Sequence, residues 1–347
     1  EVTQACELAC DHCRASAEPS RHPDELTTAE GKRLLNAASC FGDGQLVVLS
    51  GGDPMKRNDL VELVQYGTER GLRMTLTPSG TEALTPANIE ALADAGLRRM
   101  ALSIDAPENA HDRFRGETGS FRRTREAAAA AREAGIPIQI NTTVCESTVE
   151  TLPAVRDLVA DLGAVLWSVF FLVPVGRGQL LEGVSPERAE SVLEWLHDVS
   201  ESAPFGVKTT EAPSYRRVAL QREGTATEAP ESDRIGRRDG ILAGDGFAFV
   251  SHTGELYPSG FLPKSAGDVT ETDLVSLYRD AELFKSLRER DRLRGKCGAC
   301  EFRHVCGGSR SRAYAASGDP LASDPLCGYV PEGYDGPLPW EDAGGRA

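Results

Sequence analysis

Five short apolar runs recur along the first half of the chain, each followed by a stretch with helical periodicity. This alternation restricts the fold more than any other feature. "QLVVLS" (45–50) precedes a helix expected near 58–70, and "RMTLTP" (73–78) precedes one near 86–95. "RRMALSID" (98–105) is followed, after a loop, by an alanine-rich helix expected over 120–134. "IPIQINTTV" (136–144) precedes 152–162, "AVLWSVFFLVP" (164–174) closes the series, and a further helix is expected over 185–200. With "EVT" at the start, the pattern amounts to six βα units. Strands joined by helical crossovers lie parallel, so an α/β fold is expected, its sheet open or curled into part of a barrel. Functional groups in such sheets collect beyond the carboxyl ends of the strands.

The segment "CELACDHC" places Cys6, Cys10 and Cys13 just after the first of these strands. A second set, Cys297, Cys300, Cys306 and Cys327, has the spacing C-x2-C-x5-C-x20-C, and Cys40 and Cys145 stand alone as expected core thiols. Tight clusters in a chain of 347 residues point to metal and a reducing, cytoplasmic compartment rather than to a disulfide scaffold. For the triplet, zinc would need a fourth ligand, and His12, between two ligating cysteines, is badly placed to supply it. Three thiolates on one loop suit three corners of a [4Fe–4S] cube with the fourth iron open.

The formal charge of −15 argues against nucleic-acid or anionic-membrane partners. No apolar run reads as a signal peptide or approaches the roughly 18–20 residues of a membrane span. Lysine occurs six times and arginine 32 times. This balance fits either a protein kept soluble in concentrated salt or a coding bias.

The triplet resembles the cluster-binding loop of radical S-adenosylmethionine (SAM) enzymes, and other motifs extend that resemblance over roughly residues 1–180. It implies a partial (βα)6 TIM-like barrel in which SAM chelates the open iron and is cleaved to a 5′-deoxyadenosyl radical. His12 stands where the family usually has an aromatic residue. "LSGGDP" (49–54) is similar to the family's Gly-Gly-Glu-Pro element, with Asp53 for Glu, and implies that Ser50, Gly51 and Gly52 bind the SAM amino group. Ser79 in "TPSG" is implied as a ribose contact, and Ser103, Asp105 and Asn141, at the ends of later strands, as further cofactor contacts. A flavodoxin- or ferredoxin-type reductant is implied as partner.

The second cysteine set reads as a zinc ribbon or as an auxiliary cluster. It resembles the small C-terminal SPASM and Twitch Fe–S domains of many radical SAM enzymes. A full SPASM domain has seven cysteines and two clusters. Here "YPSG" carries Ser259 where cysteine is usual and "CGGSR" carries Ser309 and Arg310 near the usual extra cysteine, so one auxiliary [4Fe–4S] cluster, closed by four thiolates, is expected. The expected division is a core over 1–205, a linker or mobile insertion with room for one helix over 206–240, an auxiliary domain over 241–330 and a flexible tail over 331–347. The auxiliary domain would open with a hairpin turning at Thr253-Gly254 and continue into a helix near 272–290.

Layout, "VFFLVPVGRG" (169–178) and "CGGSRSRAYAASGDPLASDPLC" (306–327) look closest to the enzymes that decarboxylate or deacetylate tetrapyrroles in haem d1 and siroheme-dependent haem biosynthesis. Arginine binds carboxylates through a planar fork. Arg177 is accordingly the expected substrate anchor, with Arg113, Arg115, Arg310 and Arg312 as further candidates and His252 and Tyr257 as acid–base or iron-binding groups. A peptide maturase forming thioether or carbon–carbon crosslinks is the alternative, and a non-catalytic Fe–S carrier the third reading.

Overall fold

The computed structural model describes residues 1–224 and 242–340. Helix α1 (Thr28–Ser39) leads into β1 (Leu46–Leu49), α2 (Leu60–Glu69) and β2 (Arg73–Leu76); α3 (Pro86–Asp94) leads into β3 (Arg99–Ser103). Helices α4 (Glu108–Arg115) and α5 (Ser120–Glu133) precede β4 (Ile138–Val144), α6 (Leu152–Asp161) precedes β5 (Leu166–Phe171), and α7 (Pro186–Ser202) precedes β6 (Gly206–Thr210). The six strands form one parallel sheet in sequential order, curled into a half-barrel with the helices outside.

Local sequence sets where these elements begin. Thr27 and Glu30 make a capping box at the start of α1, while Thr85 and Ser185 cap α3 and α7 with Pro86 and Pro186 in the first turn. Alternation then decides which face is which. Met100, Leu102 and Ile104, with Ile138, Ile140, Trp167, Val169 and Phe171, are buried against the helices. Trp167 meets Trp195 and Phe205 edge-on and donates its indole N–H to Thr142 Oγ1 at 2.9 Å. Truncating one of these aliphatic residues to alanine should cost about 2–5 kcal/mol. The residues between them face the concave side.

Two expectations about the sheet change. "EVT" forms only a short parallel bridge, Thr3 to Gly51, because the chain turns away at Cys6. Its contribution is three bonds: Val2 N to Ser50 O (2.7 Å), Gly52 N to Thr3 O (2.9 Å) and Asp53 N to Ala5 O (2.7 Å). The sixth regular strand is instead 206–210, paired with β5, in the segment expected to open a linker. The helix allowed for in that segment is α8 (Ser214–Glu223), and residues 225–240 lie outside the described residues.

Beyond them lies a small antiparallel sheet of β7 (Phe249–Val250), β8 (Glu255–Tyr257) and β9 (Gly267–Asp268). Gly254 takes φ +103° at the hairpin turn, where a side chain would be strained. The helix expected near 272–290 is two, α9 (Leu274–Asp280) and α10 (Glu282–Arg288), broken at Ala281, whose backbone is extended. Short helices α11 (Gly295–Ala299) and α12 (Arg310–Ser317) flank the second cysteine set. The described part of the tail is anchored rather than loose: the Trp340 ring lies 3.9 Å from Lys296 Nζ. Cys145 is buried as expected, whereas Cys40, at the C-terminus of α1, is exposed.

Candidate active site

Cys6 and Cys10 are buried and Cys13 is half-buried, on a loop held from three directions. Cys6 N donates to Glu18 O at 2.7 Å, closing the loop on itself, and Asp11 N donates to Phe114 O at 3.1 Å at the end of α4. The turn after β5 supplies the third hold. Arg177 N donates to Cys13 O (2.9 Å), its Nε to Cys10 O (2.9 Å) and its Nη1 to Ala17 O (3.0 Å). Gly176 permits this approach: with φ +55°, a Cβ there would lie 2.4 Å from Arg14 O. Arg177 therefore braces the cysteine loop through these three bonds, a role not expected from the sequence, and its Nη2 is buried without a hydrogen-bond partner.

The donor set suits a polynuclear cluster. Leu8 N points at Cys6 Sγ and Ala17 N at Cys13 Sγ, each at 3.4 Å, and Arg115 Nη1 lies 3.9 Å from Cys10 Sγ. Burial pushes the Cys10 thiol up to about 11 and raises that of Cys6, so their thiolates need a cation as partner. Among the described residues no three His, Cys, Asp or Glu side chains converge on a single metal ion. Tetrahedral zinc would require sulfurs roughly 3.8 Å apart.

The glycine motif is built into the protein's own framework. A Cβ on Gly51 would lie 2.2 Å from Thr3 O, and one on Gly52 2.4 Å from Ala5 O. Both glycines are thus required by the N-terminal strand. Ser50 O and Gly52 N take part in the bonds to that strand, and Gly52 O accepts from Ser79 Oγ at 3.1 Å. Ser79 Oγ is also 3.6 Å from Cys6 Sγ, which places it beside the loop. Asp53 is fully buried and accepts from Met55 N (3.2 Å), Ser79 N (3.3 Å) and Thr81 Oγ1 (2.7 Å). It ties the loop after β1 to the loop after β2, leaving no exposed oxygen for a cofactor. Thr81 was missed because nothing in "TPSGT" marks it as a partner of a residue 28 positions earlier.

Asp105 is likewise internal. Its Oδ2 accepts from Arg115 Nε (2.7 Å) and Nη2 (2.6 Å), and its Oδ1 from Thr143 N (2.9 Å). Burial alone would raise its pKa, but the Arg115 guanidinium holds it down to about 2. Asp105 thus positions Arg115 beside Cys10. His12 stacks on Phe114 with ring centroids 4.5 Å apart, and burial together with the charge of Arg115 lowers its pKa to about 3. Its Nδ1 is buried without a hydrogen-bond partner. Ser103 and Asn141 are neighbours in register; Asn141 Oδ1 accepts from Gln139 Nε2 at 2.7 Å, and the Ser103 hydroxyl has no partner among the described residues.

Residues 1–159 match the family described as the Radical SAM superfamily. Over 335 residues the chain is 41% identical to the AdoMet-dependent heme synthase of Methanosarcina barkeri, covering 95% of each. The chain belongs to the radical SAM superfamily. The AdoMet-dependent heme synthase of Nitratidesulfovibrio vulgaris is 40% identical, covering 95% of this chain and 91% of that protein. The fold is shared with Streptococcus suis SuiB bound to its precursor peptide SuiA, at TM-score 0.74 and 17% identity, covering 94% of this chain and 74% of that one.

This radical SAM enzyme carries the second cysteine set in its C-terminal region. All four cysteines line one pocket, together with Arg217, Lys296 and Tyr329. Gly308 N points at Cys306 Sγ and Asp324 N at Cys297 Sγ, each at 3.4 Å. Arg310 is buried, bonds the carbonyls of Gly308, Pro320 and Ala322, and sets Nη2 3.6 Å from Cys297 Sγ. Arg312 is buried with Asp324 and the carbonyls of Phe171, Leu172 and Glu211. With Arg115 held by Asp105, three of the four further arginine candidates are internal; only Arg113 is exposed.

Ser259 and Ser309 meet on one carboxylate. Ser259 and Ser311 donate to Glu211 Oε1 at 2.9 Å each, and Ser309 to Oε2 at 2.6 Å. Glu211 follows β6 with φ +56°, strain sustained by this network. His252 Nδ1 lies 3.1 Å from Glu1 Oε1, and the Tyr257 hydroxyl donates to Glu255. Burial and the Glu255 carboxylate raise the Tyr257 pKa, and neither residue lines the four-cysteine pocket.

Proposed function

We propose that this enzyme modifies the carboxylate side chains of a tetrapyrrole, by decarboxylation or deacetylation, in haem biosynthesis. The observation that carries the reading is the pinned three-cysteine loop at the mouth of the half-barrel in a chain 41% identical to a heme synthase over nearly its whole length. Cys6, Cys10 and Cys13 hold a [4Fe–4S] cluster that, with SAM bound, supplies a hydrogen-abstracting 5′-deoxyadenosyl radical. His12 offers SAM an uncharged ring with an unpaired Nδ1. Ser79, beside Cys6, and Ser103, with its free hydroxyl, are the polar contacts for the rest of the cofactor. Cys297, Cys300, Cys306 and Cys327 hold one auxiliary cluster, and a flavodoxin- or ferredoxin-type protein delivers the electron.

The test is anaerobic turnover of the reconstituted protein with SAM and Fe-coproporphyrin III, read by mass spectrometry. Sequential loss of about 46 Da per propionate is the expected result: CO2 leaves with two hydrogens as propionate becomes vinyl, one hydrogen passing to the 5′-deoxyadenosyl radical and the other leaving as a proton and an electron taken up by an acceptor. Turnover of a ribosomal peptide with no change in the porphyrin would replace this reading with the peptide-maturase one.

A further inference from the structure

The concave face of the half-barrel is basic in a chain whose net charge is −15. Alternation from the helix-packed residues puts Arg73 (β2), Arg99 (β3) and Lys208 (β6) on this face, and no strand residue there is Asp or Glu. Ser103, Asn141, Ser168 and Lys208 form one register row across four strands, about 14 Å along the curled sheet.

These cations lack carboxylate partners. Arg99 Nη1 reaches only Gln139 Oε1 at 3.3 Å, and Arg73 Nε only Gly44 O at 2.8 Å. Lys208, one of just six lysines, is exposed to the lumen and has no hydrogen bond or ion pair among the described residues. Desolvation and the charge of Arg99 both lower its pKa, so the two groups stand close enough to repel. Across the sheet, Leu46 and Val48 are each 44% exposed on the same face. An apolar wall opposite unpaired cations matches a flat ring with acidic side chains.

We infer that the lumen is the substrate seat and that Lys208 and Arg99 bind carboxylates at the edge of an apolar macrocycle. The inference rests on the tetrapyrrole reading and adds the residues that select its acidic side chains. It replaces Arg177, Arg310 and Arg312, whose guanidinium groups bond carbonyls of their own chain. SAM also carries a carboxylate, so the test must tell the two sources apart.

The test is a Soret-band titration of the reconstituted full chain, without reductant, using Fe-coproporphyrin III and its tetramethyl ester, alongside a SAM titration. Wild type should prefer the tetra-acid. Lys208→Gln and Arg99→Gln should each weaken tetra-acid binding about tenfold or more, leave ester binding unchanged, and leave SAM affinity unchanged; Lys208→Arg should retain the preference. Equal porphyrin affinity in wild type and both Gln variants overturns the inference and leaves the tetrapyrrole reading standing. Weaker SAM binding with unchanged porphyrin binding overturns it in favour of the SAM carboxylate. Failure of wild type to bind either porphyrin overturns both.

Discussion

The two cysteine sets are built on opposite plans. The first spans eight residues, and its loop is pinned by contacts from positions more than 100 and 160 residues away in sequence. Of the two cations on it, Arg115 is paired with Asp105, whereas Arg177 bonds loop carbonyls. The second spans 31 residues and lies in a pocket edged by Lys296, Arg217 and Arg310. Arg217 is paired with Glu190, but Lys296 donates to the Cys327 carbonyl with no acidic partner among the described residues, and Arg310 bonds only carbonyls and Cys297. Three cysteines leave a fourth position for an outside ligand, whereas four would close a site, and Lys296 and Arg310 beside them would stabilise added negative charge there.

The largest expected effect separates the sets outright. Replacing Cys6, Cys10 and Cys13 together with alanine should abolish SAM cleavage and lower iron from about eight atoms per chain to about four. Replacing Cys297, Cys300 and Cys306 should lower iron equally but leave some cleavage of SAM to 5′-deoxyadenosine. Cleavage surviving in the first variant would remove the distinction.

Next comes the brace. Arg177→Ala leaves the Cys10 and Ala17 carbonyls without their donors, at about 1–3 kcal/mol for each buried group left unpaired. Iron content and SAM cleavage should both fall, and Arg177→Lys, which lacks the fork, should rescue neither fully. Normal iron and cleavage with loss of porphyrin turnover alone would return Arg177 to the substrate.

The smallest effect tests the charge contrast. Lys296→Met should lower the reduction potential of the second cluster by roughly 50–100 mV while leaving that of the first unchanged, followed by EPR-monitored redox titration. An unchanged potential would mean that water at the pocket mouth screens the lysine.

Elements whose apolar residues face the helices were legible in the chain, because burial forces a period of two in strands and about 3.6 in helices. Strand β6 was not. "GVKTT" faces the lumen with Lys208 and contributes little to the apolar core, so it carries no such period. The two cysteine sets were legible from spacing alone. That Glu211 gathers both serines was not, since 48 and 98 residues separate it from them.

By itself, then, the sequence determined the α/β order, the two groupings of cysteines and the family, all of which depend on residue type at short spacing. Only the tertiary structure decided what the arginines and carboxylates do. Arg115, Arg177, Arg310 and Arg312 were candidates for the same substrate role, and each instead bonds groups of its own chain. Asp53 and Asp105 turned inward in the same way. A charged side chain is long, and its partner is chosen by proximity in the folded chain. Desolvation then makes any nearby carbonyl or counter-ion its obligatory mate, a choice that no local pattern encodes.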